Sequence, residues 1–145
     1  MNTLHRFLIA LGLCASSISM AWAQSDFAQL AAQEPGAKVT ASGLVFRSLQ
    51  DGQGASPMAT DKVKVHYRGT FPDGKEFDSS YKRNQAIEFP LNGVIPCWTE
   101  GVQLMKIGGK AKLTCPPDIA YGARGAGGVI PPNATLQFEV ELIAI

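Results

Sequence analysis

One stretch decides the fold: Lys62-Val63-Lys64-Val65-His66-Tyr67-Arg68-Gly69-Thr70-Phe71-Pro72-Asp73-Gly74-Lys75. Its first ten residues largely alternate between polar and apolar side chains, which predicts a β-strand with one face in water. The Pro-Asp-Gly-Lys that follows is a turn signal, because Pro presets φ and Asp-Gly accepts positive φ. The chain should therefore return as an antiparallel hairpin through residues 76–79.

Further strands are predicted on both sides of this hairpin. They cover residues 44–49, 86–91, 110–115 and 135–145. In the last of them, Leu136, Phe138 and Val140 share one face, and polar side chains occupy the other. An antiparallel sheet with one buried face follows from this pattern.

One convincing helix is predicted, over residues 97–105. Pro96 stands at its first turn, Trp98 and Val102 have the spacing of one apolar face, and two glycines at 108–109 follow its end. The elements together predict an α+β fold, in which an antiparallel sheet wraps over one short helix.

The chain opens with the pattern of a secretory signal peptide. A polar and basic segment ending at Arg6 precedes an apolar run over residues 7–15, and Ala21-Trp22-Ala23 offers an A-x-A cleavage site. The run is far shorter than the roughly 20 residues that cross a bilayer, so no membrane span is expected. We expect cleavage after Ala23, a periplasmic or secreted protein, a flexible lead-in over residues 24–41 and one domain over residues 42–145.

The charge balance excludes one class of partner. The chain has 13 Lys and Arg against 12 Asp and Glu, and removal of Arg6 with the leader would make the two counts equal. No basic stripe is present to neutralise phosphates. Neither a nucleic acid nor an anionic membrane is therefore expected as a partner.

Two cysteines remain after the predicted cleavage site, Cys97 and Cys115. Because an exported chain meets an oxidising compartment, a disulfide between them is one interpretation. The alternative is a pair of buried thiols that act as small hydrophobic residues. Their spacing fits neither a zinc site nor a C-x-x-C redox pair, and no metal site is predicted.

Conventional catalytic groups are missing from the predicted mature chain. Its single histidine, His66, falls on the polar face of its strand, and neither a Ser-His-Asp nor a Cys-His set can be completed. The glycine-rich loop over residues 120–132 ends in two prolines that block the helix N-terminus a phosphate loop requires. This loop either holds Tyr121 and Ile130 over a pocket or is an ordinary connection. No cofactor is expected.

Six motifs occur in a fixed order along residues 42–145. They are Val65-His66-Tyr67-Arg68-Gly69, Gly74-Lys75-Glu76-Phe77-Asp78-Ser79-Ser80, Val94-Ile95-Pro96-Cys97-Trp98, residues 104–109, Ala120-Tyr121-Gly122, and Ile130-Pro131-Pro132-Asn133-Ala134-Thr135-Leu136. In this order they resemble the FKBP family of peptidyl-prolyl cis-trans isomerases. The resemblance implies an isomerase domain in which a half-barrel sheet holds the helix in its concavity, with a proline-binding pocket.

The resemblance also implies which residues form that pocket. Trp98 would be its floor, Tyr67, Phe77 and Phe138 its walls, Val94 and Ile95 its rim, Asp78 and Tyr121 its polar contacts, and Ile87, Phe89 and Ile130 further substrate-binding residues. The Ile95 N–H would donate a hydrogen bond to the ligand. Two positions depart from the family pattern: Ile87 stands where many relatives have an aromatic residue, and the loop around Ala126 lacks a common bulky residue.

These residues suit rotation about an X-Pro bond without covalent or acid–base chemistry. The planar amide is more charge-separated than the twisted one, so an apolar pocket disfavours the ground state relative to the transition state. We therefore expect an isomerase that accelerates the folding of exported proteins. The alternative is a chaperone whose proline groove binds exported chains with little turnover. A structural or virulence-associated surface protein would show neither activity.

The expected partners follow from the same resemblance. They are proline-containing unfolded or exported polypeptides and the macrolide inhibitors of the FKBP family. Exported bacterial relatives with a long helical stalk dimerise through it, and the lead-in over residues 24–41 is too short for such a stalk. A monomer is expected.

Overall fold

The computed structural model describes residues 27–145, so the predicted signal peptide and its cleavage site lie outside the described residues. Seven strands are present: β1 (Lys38–Val39), β2 (Val45–Gln50), β3 (Lys62–Thr70), β4 (Glu76–Ser79), β5 (Ile87–Pro90), β6 (Lys110–Cys115) and β7 (Leu136–Ala144). Residues 27–32 are helical (α1), and the second helix is α2 (Pro96–Gln103). In this part of the chain no helix has the length and apolar character to cross a membrane.

The strands form one antiparallel sheet in the order β1-β2-β6-β7-β3-β4. β7 pairs with β3 along one edge, while β5 and β4 pair with β3 at residues 62–65 and 68–70. Strand β3 thus pairs with three other strands, β4, β5 and β7. The predicted α+β class, an antiparallel sheet with one short helix in its hollow, is confirmed.

Helix α2 packs its apolar face on the sheet. The buried residues of the helix are Cys97, Trp98, Gly101 and Val102. A Cβ atom on Gly101 would lie 2.9 Å from the side-chain methyl carbons of Leu113, so glycine lets the helix approach β6 closely. Each fully buried Leu or Val in this core contributes about 1.5–3 kcal/mol of hydrophobic stabilisation.

The ends of α2 differ slightly from the prediction. The helix begins at Pro96, where fixed φ and a missing N–H suit the first turn. It ends at Gln103, because the N–H of Leu104 bonds the Gly101 carbonyl at 3.1 Å and tightens the last turn. The sequence-predicted end at residue 105 lies beyond it.

A disulfide joins Cys97 to Cys115, with Cα atoms 5.8 Å apart. Both residues are fully buried. The bond ties the first turn of α2 to the last residue of β6. It closes a loop with a sequence separation of 18, which in the chain-entropy account stabilises the fold by about 3 kcal/mol. Of the two interpretations that the sequence leaves open, the structure has the disulfide.

Part of the predicted flexible lead-in is attached to the sheet. Strand β1 pairs with β2, and Ala31 is buried. The Glu34 carboxylate accepts hydrogen bonds from Arg47 Nη1 and Lys112 Nζ, each at 2.8 Å. A two-residue strand is too short to show alternation, and the pairing of Glu34 with Lys112 joins residues 78 positions apart. Neither feature can be seen locally in the sequence.

Glu34→Gln should lower the free energy of unfolding at pH 7 by up to about 1 kcal/mol, the scale of a partly exposed ion pair. The hydrogen bond and charge of Lys112, together with Arg47, hold the pKa of Glu34 below its ordinary value despite partial burial. A lowered native pKa means that this contribution is present above the unfolded-state pKa and is lost as the pH falls through the native pKa.

Denaturant unfolding curves of the wild type and Glu34→Gln should therefore converge below about pH 4. Asp118→Asn is a suitable control, because Asp118 is exposed and forms no ion pair within 4.0 Å among residues 27–145. A loss of stability in Glu34→Gln that is the same at pH 3 and pH 7 would contradict the ion-pair explanation.

Candidate functional site

A pocket of about 640 Å³ opens between the sheet and the start of α2. Its lining consists of Tyr67, Phe77, Asp78, Ile87, Glu88, Phe89, Gly93, Val94, Ile95, Trp98, Tyr121 and Phe138. These residues come from four strands, helix α2 and two connecting segments, so only the fold brings them together. Every predicted site residue except Ile130 lines this pocket.

Trp98 lies at the centre of the aromatic side chains. Its ring centroid is 5.2 Å from Tyr67, 5.2 Å from Phe138 and 5.5 Å from Phe89. The first two contacts are edge-to-face, a geometry that adds about 0.5–1.5 kcal/mol beyond area burial. The indole is only 5% exposed. The Trp98 ring is therefore held in place by its aromatic neighbours and by its position in the first turn of α2.

The positions of the Phe77 and Phe138 rings depend on Gly69. This glycine is part of a sequence motif quoted above, but the motif alone does not show what it does. A Cβ atom on Gly69 would lie 2.5 Å from Cζ of Phe77 and 3.0 Å from Cε1 of Phe138. The two rings occupy that space and meet edge-to-face at 5.7 Å. Because a glycine inside a strand marks close approach, the sequence did carry a general signal for this residue.

A hydrogen-bonded group of three side chains forms the polar edge of the pocket. The Tyr67 hydroxyl donates to the Asp78 carboxylate. Arg83 donates from Nη1 to Asp78 Oδ1 at 2.6 Å and from Nη2 to the Tyr67 hydroxyl oxygen at 3.0 Å. The Ser79 N–H also donates to Asp78, at 2.9 Å. Sequence reasoning missed Arg83, since it lies in a polar loop with no periodic pattern.

The electrostatics of this group keep each member in its ordinary charge state at neutral pH. Burial alone would raise the pKa of Asp78, but the hydrogen bonds from Tyr67 and Arg83 hold it below its usual value. Burial, followed by the bond to Asp78, raises the pKa of Tyr67. The bonds to Asp78 and Tyr67 raise the pKa of the Arg83 guanidinium. None of the three is thus poised to transfer a proton near pH 7.

Ile130 lies beneath the glycine-rich loop instead of in the pocket lining. It is 6% exposed, and its backbone pairs with Ala126 in an antiparallel bridge with bonds of 2.9 and 3.0 Å. Tyr121, at the start of the loop, remains 41% exposed and lines the pocket mouth. The loop therefore exposes Tyr121 and Val129 and buries Ile130.

His66 is separate from the pocket lining. Its Nδ1 lies 2.8 Å from Ser80 Oγ, and its ring stacks on Tyr81 at a centroid distance of 4.7 Å. Within residues 27–145, no three His, Cys, Asp or Glu side chains are grouped so that they could hold a metal ion.

Comparison with known proteins identifies the family of this chain. A sequence profile described as FKBP-type peptidyl-prolyl cis-trans isomerase matches residues 53–143. The chain belongs to the FKBP-type peptidyl-prolyl cis-trans isomerase family, as the six motifs indicate.

Individual relatives agree with this assignment. The FKBP-type 22 kDa peptidyl-prolyl cis-trans isomerase of Escherichia coli (strain K12) is 54% identical over 114 residues, which are 79% of this chain and 55% of the relative. The crystal structure of FkpA from Escherichia coli is similar with a TM-score of 0.83 at 45% identity, covering 88% of this chain and 59% of that one. The isomerase from Pseudomonas syringae pv. tomato gives a TM-score of 0.81 at 41% identity, with coverage of 92% and 98%. The chain spans about half the length of the curated relatives it matches.

Gly69→Ala should displace the Phe77 ring and lower the free energy of unfolding by about 1–3 kcal/mol, the usual effect of overpacking. Phe77→Leu removes the far end of the ring that the new methyl group would meet. In a double-mutant cycle, the cost of Gly69→Ala should therefore fall in the Phe77→Leu background. Phe71→Leu is the matched control background. The Phe71 ring packs on Phe77, but the atoms nearest to a new Cβ at position 69 belong to Phe77 and Phe138. The loss of stability caused by Gly69→Ala should therefore be the same in Phe71→Leu as in the wild type. Equal costs in all three backgrounds would contradict the steric role of Gly69.

Proposed function

We propose that this protein is a peptidyl-prolyl cis-trans isomerase that accelerates rotation about X-Pro bonds in exported polypeptides. The observation that carries the proposal is an apolar, aromatic pocket with Trp98 as its floor, in a chain that belongs to the FKBP-type family. Its volume of about 640 Å³ lies in the range of sites that enclose small ligands or a few residues of a peptide.

In the proposed complex, the prolyl ring lies on Trp98 between the walls formed by Tyr67, Phe77 and Phe138. Val94 and Ile95 form the rim, and the Ile95 N–H donates to a substrate carbonyl. The polar contacts come from Asp78, whose charge is balanced by Arg83, and from Tyr121 at the mouth, while Ile87 and Phe89 complete the apolar side. Ile130 supports the loop from below.

The chemistry requires only an environment that favours the twisted amide. An X-Pro bond is held planar by resonance with a barrier of about 18–20 kcal/mol. The planar form is the more charge-separated one, so transfer from water into an apolar pocket raises its free energy relative to the transition state. Lowering the barrier by about 5–8 kcal/mol would accelerate rotation by roughly four to six powers of ten. No nucleophile, base or cofactor takes part in this mechanism.

A second candidate function is a chaperone that binds exported chains in the same groove with little turnover. The exposed side chains of Tyr121 and Val129, on the loop at the pocket mouth, favour it. Catalysis of a proline-limited refolding reaction supports the isomerase. Suppressed aggregation of a proline-free client, without such catalysis, would support the chaperone.

The proposal also covers location and partners. The N-terminal pattern supports export with cleavage after Ala23, hence a periplasmic or secreted protein in which the disulfide can persist. The pocket supports proline-containing polypeptides as substrates and macrolide inhibitors of the FKBP family as competing ligands.

Phe77→Ala removes a wall of the pocket and should lower kcat/KM for a short X-Pro peptide by about tenfold or more, or at least about 1.4 kcal/mol of transition-state stabilisation. Phe71→Ala is the matched control. Its ring lies 4.8 Å from Phe77 and does not line the pocket, so its loss should be several-fold smaller. The measurement is isomerase activity of variants whose circular dichroism shows a folded state. Equal losses in both variants would contradict the role of Phe77 as a wall.

The rate on a prolyl peptide should be nearly flat between about pH 6 and 9, because the pKa values of Tyr67 and Arg83 are raised and that of Asp78 is lowered, away from this range. His66→Ala should keep nearly full activity, since His66 does not line the pocket. Activity is measured against pH for both proteins, with the solvent deuterium isotope effect, which should be close to one. A pH–rate profile that rises steeply with one ionisation, and that becomes flat in a folded His66→Ala protein, would contradict this mechanism. It would indicate that His66 acts as a general base.

A further inference from the structure

The candidate pocket continues into a groove along helix α2. Val94 lines the pocket on one side and a shallow depression of about 600 Å³ on the other. The rest of this depression is formed by Asn92, Pro96, Thr99, Glu100, Gln103 and Leu104. On the helix these positions repeat at intervals of three or four residues, so they form one stripe, on the face opposite the buried Trp98 and Val102.

The far end of the stripe is apolar and open. Leu104 is 51% exposed, although it follows a helix whose other large apolar residues are buried. It also lines the next depression, which runs under the end of the helix toward Lys38 and Lys106. The pocket and the groove thus adjoin at Val94, and a chain that crosses Val94 passes from one to the other and on toward Leu104.

Three of the four polar side chains that line the groove have hydrogen-bond partners within the protein. Thr99 donates to the Leu91 carbonyl at 2.8 Å, and Gln103 donates to the Thr99 carbonyl at 2.8 Å. The Glu100 carboxylate accepts a hydrogen bond from Ser42. Among the described residues no Lys or Arg lines the groove, so nothing there attracts an acidic group, whereas Val94, Pro96 and Leu104 offer apolar contacts. This favours an apolar side chain of the ligand over an acidic one.

We propose that this groove binds the stretch of substrate polypeptide that flanks the proline, with an apolar side chain of the substrate on Leu104. The proposal rests on the proposed isomerase function and names a second contact for the same substrate. The helix rises about 1.5 Å per residue, so Pro96 and Leu104 are separated by about 12 Å along its axis, which an extended chain covers in about four residues. The proline itself lies on Trp98, on the other face of the helix, and the passage over Val94 into the groove takes up to about three more residues. The substrate residue on Leu104 is accordingly about four to seven positions from the proline.

The test compares peptides of two lengths. A tetrapeptide with one X-Pro bond fills the pocket alone, whereas longer peptides with a central proline carry a single Leu or Asn at each of the positions about four to seven residues before or after it. At one of these positions, on one side of the proline, the wild type should turn over the Leu peptide about three- to tenfold more efficiently than the Asn peptide. In Leu104→Gln that ratio should fall to about one, with the tetrapeptide rate unchanged.

Leu49→Gln is the matched control, because Leu49 is 41% exposed on β2 and lines neither the pocket nor the groove. It should keep the wild-type ratio. A wild-type ratio near one on both sides of the proline would overturn the groove, and so would a ratio that Leu104→Gln leaves intact.

The same experiment distinguishes failure of the isomerase proposal from failure of the groove proposal. If the wild type turns over none of the peptides, the isomerase proposal fails, and the dissociation constants of the same peptides then decide about the groove. A Leu-over-Asn preference in binding that Leu104→Gln removes supports it. Equal binding of the Leu and Asn peptides overturns it.

Discussion

The close approach of helix α2 to strand β6 is the constraint on which the rest of the structure depends. At Gly101 there is no room for a side chain above Leu113, and one turn earlier the disulfide joins Cys97 to the end of the same strand. A helix of eight residues is too short to be stable in isolation. Its position is therefore set by packing and by a covalent bond, and that position places Trp98 at the centre of the aromatic cluster.

Strand β3 carries Tyr67 on the pocket side of the sheet and His66 on the outer side. The way in which β4 and β5 pair with β3 explains how one loop contacts both sides. Strands β4 and β5 share one edge of β3, and Ser80 occupies the gap between them, where its hydroxyl accepts the Tyr67 N–H at 2.7 Å. The segment that leaves Ser80 sends Tyr81 to the outer face, where it stacks on His66, and Arg83 back to Asp78. One short loop thus completes the polar edge of the pocket and covers the opposite side of the sheet.

Local pattern was enough to predict the sheet, because each long strand has one buried face and alternation records it. Family motifs then identified most residues of the pocket lining. They could not identify Arg83, whose role comes from a loop folding back on Asp78, or the pairing of Glu34 with Lys112, which depends on the docking of a distant segment. For Ile130 the family motifs predicted a place in the pocket lining that the structure does not show. An apolar residue in a glycine-rich loop can point up or down, and only the bridge to Ala126 decides that it is buried.

The disulfide also determines how α2 can open. The bond lies at the first turn of the helix and is fully buried, directly beside Trp98. Fraying of the other end, at Leu104, can proceed without disturbing the indole, whereas release of the first turn requires the core around β6 to separate as well. Amide protons near Trp98 are therefore exposed to exchange with solvent only by large cooperative openings, and those near Leu104 by small ones. We therefore expect slow amide exchange around Trp98 and at the start of the groove, and faster exchange at the end of the groove near Leu104.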